Sequence, residues 1–165
     1  MFLTDEHQAS GQVGASALKN LVDSPQDFKV TVITRPESTA SFPSNVTVKR
    51  GAYDDGAFLE EAFSGQDAVI FSVHFYAQDA QLPMFEAAAK AGVRWIIPNE
   101  YAGNTQNPDM VALTSFSFGP KVKAREHIEK LSETCDGLKW IGVATNPFFE
   151  SVGIDGNRGR RAYIH

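Results

Sequence analysis

The stretch MFLTDEHQASGQVGASALKNL, residues 1–21, decides how this chain is read. Its second half joins Gly11 and Gly14 to a run in which Val13, Ala17, Leu18, Leu21 and Val22 recur at helical spacing, until DSPQD (23–27) stops it. A tight glycine turn that opens into a helix needs a strand to feed it. Residues 2–7, FLTDEH, would have to be that strand, and only Phe2 and Leu3 among them are apolar. Burying Asp5 and Glu6 unpaired would cost several kcal/mol each. The expectation is a degenerate first strand, either short and frayed or lying outside the sheet and leaving a gap.

Beyond this stretch the pattern alternates between strand and helix periods. FKVTVIT (28–34) is rich in β-branched residues and ends at Arg35-Pro36, and Val46–Lys49 reads as a short strand. DDGAFLEEAFSG predicts a helix capped by Asp54 or Asp55, with Phe58, Leu59, Ala62 and Phe63 inward. DAVIFSV (67–73) is a near-continuous apolar run, as expected of a strand covered on both faces. A helix over 82–91 ending at Gly92 leads to the strand VRWII (93–97). Residues 98–119 read as a long loop, 120–134 as a helix with Pro120 near its start, and 138–145 as a last strand. Such alternation predicts an α/β fold, a doubly wound parallel sheet of Rossmann-like type. Residues 1–147 would form the binding domain, and 148–165 the opening of a further region.

Composition narrows the function. The 165 residues carry 15 Lys and Arg against 20 Asp and Glu, a net charge of −5, which argues against nucleic acid as a partner. The single cysteine, Cys135, allows no internal disulfide. No apolar run reaches the length of a membrane span, and the first residues do not read as a signal peptide, so a cytoplasmic protein is expected. No grouping of His, Cys, Asp and Glu has the spacing of a metal site.

Three features could carry chemistry. In the turn, backbone N–H groups at a helix start can approach a pyrophosphate, although Gln8 stands where a third glycine of the Rossmann-type turn would be. At the end of the second strand stands Arg35, where an acidic residue would favour a ribose 2′-hydroxyl and a cation suits a 2′-phosphate. In GPKVKAREHIEK, Lys121, Lys123 and Arg125 crowd the expected start of a helix, an end that prefers anions. His74 and His127 are weaker candidates for acid or base.

The ordered set ASGQVG, VTVITRP, DAVIFSV, WIIPNEYAG, KVKAR and ATNPFF resembles isoflavone reductase-like, NmrA-like proteins, atypical short-chain dehydrogenase/reductases. The resemblance implies an NADP (NADPH) cofactor and reduction of a small carbonyl or alkene substrate. Lys121 with Arg125 matches the family's K-x-x-x-R pattern, which makes Lys121 the catalytic candidate, with Lys123 as the spare. The implied cofactor contacts are Ser10, Gly11, Gln12, Val13 and Gly14 at the pyrophosphate, Arg35 at the 2′-phosphate and Val73 beside the ribose. Lys121, Asn146, Pro147 and Phe148 would border the nicotinamide. Asn99 and Tyr101 depart from the family's P-S-E-F-G. Family members are roughly double this length, so the resemblance also implies a chain truncated at both ends. The alternative it offers is a non-catalytic, dinucleotide-sensing regulator with a protein partner; a homo-oligomer is the other association considered.

Overall fold

The computed structural model describes residues 2–4, 12–113 and 115–145. Its strands are β1 (Phe2–Thr4), β2 (Thr31–Thr34), β3 (Thr47–Arg50), β4 (Ala68–Ser72), β5 (Trp95–Ile97) and β6 (Lys139–Trp140). All neighbours pair in parallel, in the order β3-β2-β1-β4-β5-β6. The helices are α1 (Gln12–Val22), α2 (Gly56–Phe63), α3 (Gln81–Lys90), α4 (Pro108–Leu113) and α5 (Ser115–Thr134), with a short helical turn at Phe75–Ala80.

The direction of travel across the sheet reverses beside β1. Right-handed crossovers then put α1 on one face and α2, α3 and α5 on the other. Two hydrophobic cores follow. The larger packs Ile33, Val69, Phe71, Val73 and Ile96 of the sheet side against Leu59, Phe63, Met84, Phe85 and Ile128. Phe71 and Phe85 meet edge to face, with ring centroids 4.9 Å apart. The smaller joins Val30, Val32 and Val46 to Leu18, with Ala17, Leu21, Val22 and Ile70 packed around it. This is the doubly wound α/β fold expected from the alternation.

The opening stretch does enter the sheet. Phe2 lies opposite Val32 and Ile70, Leu3 opposite Ile33 and Phe71, and Thr4 opposite Ser72. The first strand is therefore short but central, and the alternative of a segment outside the sheet is wrong. Three residues suffice because both flanks offer paired backbone. Asp5 and Glu6 lie outside the described residues.

Other boundaries move as well. β2 starts only at Thr31, because the Phe28 N–H closes a tight turn onto the Gln26 carbonyl and the Phe28 ring is 48% exposed. The third strand runs one residue later than expected. The last pairs only over Lys139–Trp140, with Ile141 and Val143 exposed beyond it. The helix of DDGAFLEEAF forms as expected: Asp55 caps it, its Oδ1 accepting from the Phe58 N–H at 3.1 Å. Gly92, at φ +79°, follows the end of α3, a backbone region that disfavours side chains.

The largest departure is at residues 98–119. Only the first part is loop; α4 follows, and α5 starts at Ser115 with Pro120 inside it. Serines, Gly119 and a proline hide a helix from propensity, since each weakens it and Pro120 has no N–H for the ladder. Lys121 therefore stands beyond the first turn of α5. The unfavourable placement of three cations at a helix end does not arise, because that dipole effect fades within one turn.

Candidate functional site

The carboxyl ends of the parallel strands gather the polar buried residues. Directly after β5 comes Pro98-Asn99-Glu100, all buried. The Asn99 N–H donates to Gln81 Oε1 at 2.8 Å, and its Nδ2 donates to the Val73 carbonyl at 2.9 Å. Gln81 is itself fixed, its Nε2 donating to the Gln78 carbonyl at 3.2 Å and to Gln78 Oε1 at 3.0 Å. Asn99 thus ties the exit of β4, through its side chain, to the start of α3, through its backbone N–H. The remaining polar group of that backbone unit, the Asn99 carbonyl, accepts from Lys121 Nζ at 2.7 Å.

Lys121 is only 6% exposed. Burial penalises its ammonium and lowers its pKa to about 8, while the Glu100 carboxylate opposes that shift. Glu100 is buried too, and accepts a hydrogen bond from Thr105 Oγ1. Burial pushes the Tyr101 phenol up to about 12, so it stays neutral. A cavity of about 280 Å³ opens here, lined by Glu100, Thr105, Arg125, Trp140 and Gly142 among others. A larger one, about 520 Å³, sits at the opposite edge between the end of α1 and the start of β4, lined by Leu21, Phe28, Val30 and Ile70.

The other candidates separate clearly. Lys123 pairs with Asp79 at 3.1 Å, both exposed. Arg125 pairs with Glu129 at 2.9 Å, and His127 Nε2 lies 2.9 Å from Glu86 with its ring against Phe85. His74 follows β4, and its carbonyl accepts from the Ala77 N–H. Arg35 follows β2 and pairs with Glu37 at 3.3 Å. Next to it Arg50, at the end of β3, donates to the Ser38 carbonyl at 2.6 Å and holds the turn after β2. The Val73 side chain belongs to the larger core, leaving its carbonyl to Asn99. Gln12, Val13 and Gly14 form the first turn of α1. Ser10, Gly11, Asn146, Pro147 and Phe148 lie outside the described residues.

Arg35 and Lys121 therefore stand at the same edge of the sheet. β2 and β5 are three strand positions apart, roughly 14 Å. Between them, at the ends of β2 and β4, Thr34 Oγ1 and Ser72 Oγ are buried without a hydrogen-bond partner. Side-chain alternation from Val32 and Ile70 directs both towards the α1 face, and the start of a helix leaves its first N–H groups without an intrahelical partner. Unsatisfied buried hydroxyls are uncommon and cost about 1–3 kcal/mol each. An oxygen-rich ligand at this edge fits that arrangement.

Asn99, Glu100, Gln81 and Thr105 were not candidates from the sequence. Asn99 and Glu100 sat in a quoted motif, but nothing there marked them as buried. Among the described residues no grouping of His, Cys, Asp and Glu could hold a metal ion, and no helix is long and apolar enough to cross a membrane.

Comparison with known proteins agrees with this architecture. The chain is 34% identical over 143 residues to the oxidoreductase aprR of Aspergillus flavus, covering 86% of this chain and 47% of that protein. Its fold matches a structure from the pinoresinol-lariciresinol and phenylcoumaran benzylic ether reductases, with a TM-score of 0.70 at 20% identity, over 88% of this chain and 49% of the other. It also matches leucoanthocyanidin reductase of Vitis vinifera in a binary complex with NADPH, with a TM-score of 0.65 at 13% identity, over 87% of this chain and 48% of the other. The chain thus spans about half the length of these proteins. The NmrA-like family matches residues 7–139, most of the chain, and to that family the chain belongs.

Proposed function

We propose that this chain is the dinucleotide-binding part of an NADP-dependent reductase in which Lys121 handles a proton at the substrate oxygen. The observation that carries the reading is the buried Lys121 ammonium, seated on the Asn99 carbonyl at the carboxyl edge of a doubly wound sheet. Ligands of such sheets bind at that edge, beside the point where strand order reverses. A lysine with a pKa near neutrality can donate a proton and take one back, which a surface lysine does poorly.

The first turn of α1 would hold the pyrophosphate, Arg35 the 2′-phosphate, and the ends of β4 and β5 the nicotinamide half. Bound there, the cofactor would supply a hydride to a small carbonyl or alkene substrate. Lys121 would orient the substrate oxygen by hydrogen bond and deliver its proton as charge develops. The Asn99 carbonyl keeps Nζ in place, and the larger core behind Val73 keeps water from that side. Residues 148–165 would begin the region that shapes the substrate pocket.

Fluorescence titration of the full chain with NADPH and NADH tests the reading. Saturable binding, tighter for NADPH, with the preference reduced about tenfold or more in Arg35→Ala, is the expected result. No saturation at millimolar cofactor would refute it. Saturable binding with no turnover across carbonyl and alkene substrates would favour the sensing regulator instead.

A further inference from the structure

We propose that Gln81 is a positioning residue for Lys121: from the first turn of α3 its carboxamide pins residue 99, whose carbonyl sets where Nζ stands. This rests on the catalytic reading of Lys121 and extends it to a side chain behind the lysine's own partner. Gln81 is completely buried, and Gln78 and Asn99 are nearly so, although carboxamides are mostly surface groups. Burying one is unfavourable unless its hydrogen bonds are made, and an apolar side chain would fill the space without that demand. What the carboxamide adds is direction. The Asn99 N–H can only donate, so Gln81 Oε1 must face it, at 2.8 Å. Nε2 is then turned to Gln78, 3.2 Å from its carbonyl and 3.0 Å from its Oε1. Gln78 Nε2 in turn donates to the His74 carbonyl at 3.4 Å.

Residue 99 is held at three points. Gln81 accepts from its N–H, the Val73 carbonyl accepts from its Nδ2 at 2.9 Å, and its own carbonyl accepts from Lys121 Nζ at 2.7 Å. Along the series Lys121, Asn99, Gln81, Gln78 every donor faces the next acceptor in the same sense, so each link orients and polarises its neighbour. Without the Gln81 acceptor, the Asn99 N–H would be buried unpaired and residue 99 free to turn, taking its carbonyl off Nζ. An ammonium buried without its acceptor gives up its proton more readily. The charged side chains on the surrounding elements have partners of their own: Glu100 with Thr105, Lys123 with Asp79, Arg125 with Glu129 and His127 with Glu86. Tyr101 stays neutral, and His74 stands at the far end of the series through its carbonyl.

Trace acetylation of the full chain across a pH series, read by peptide mass spectrometry at Lys121 with Lys123 as internal reference, tests this. In the wild type the Lys121 midpoint should lie near pH 8. Gln81→Met and Gln81→Leu keep the volume but offer no acceptor. Either, once folded, should lower that midpoint by about one pH unit, the worth of a hydrogen bond to a charged group. Gln81→Glu, which keeps the acceptor, should not lower it. Asn99→Ser retains both backbone bonds and loses only the tie to Val73, so a smaller fall is expected. Lys123 should not move in any variant. An unchanged Lys121 midpoint in a folded Gln81→Met or Gln81→Leu chain, or an equal fall in Gln81→Glu, would show that Gln81 only fills space and would overturn the proposal. If neither apolar variant folds, an unchanged midpoint in Asn99→Ser overturns it. NADPH titration of the wild type judges the reductase reading separately, because the midpoint is read without cofactor.

Discussion

Lys121 weakens the fold at neutral pH, which is unusual for a residue kept in the interior. Its pKa is about 8 when folded against 10.5 for the unconstrained side chain. Between those values the unfolded chain binds more protons than the native one, so stability rises with pH across that window. Below it, the whole penalty of burying the ammonium is present. Lys121→Met removes the dependence. In urea melts, the stability of wild type relative to this variant should increase by a few kcal/mol between pH 8 and 10.5, at up to about 1.4 kcal/mol per unit. A difference flat in pH would show that the amine is not buried. Gly142 is the second residue with a sharp consequence: Gly142→Ala forces the Glu100 carboxylate to move and should cost about 1–3 kcal/mol.

At the level of elements, the parts most visible in the sequence are those whose local chemistry and packing agree. Asp55, Leu59, Ala62 and Phe63 could be read as cap and core of α2 because the cap and the apolar stripe point to the same helix. Asp55→Ala should cost about 1 kcal/mol by thermal melting. Phe85→Ala, which empties the centre of the larger core, should cost about 3–5 kcal/mol. What was hard to see has a physical cause in each case. The start of α5 is masked by Gly119 and Pro120, whose propensities oppose a helix that the tertiary structure supports. β1 is masked by its brevity, since three residues carry no period and their place is set by pairing with β2 and β4. Lys121 was a candidate through its match to the K-x-x-x-R pattern of the family it resembles. Its partner Asn99 and the Glu100–Thr105 pair were not, because Lys121 meets Asn99 and Thr105 meets Glu100 only once the chain has folded.

Across the whole molecule, the sheet places two cations from distant parts of the sequence along one edge, with two buried hydroxyls between them. Residue order alone could not show that positions 35 and 121 share an edge; the reversal of strand order beside β1 does. The opposite edge holds a larger cavity, and the charges that line it, Asp27, Lys29 and Asp67, are exposed. The nucleotide is therefore expected at the carboxyl edge alone. Hydrogen exchange of the full chain with and without saturating NADPH, resolved by peptide, tests that location. Protection confined to the segments around 12–16, 34–38, 72–75 and 98–103 is the predicted footprint. Protection centred instead on 27–30 and 65–68, at the amino ends of the strands, would contradict it.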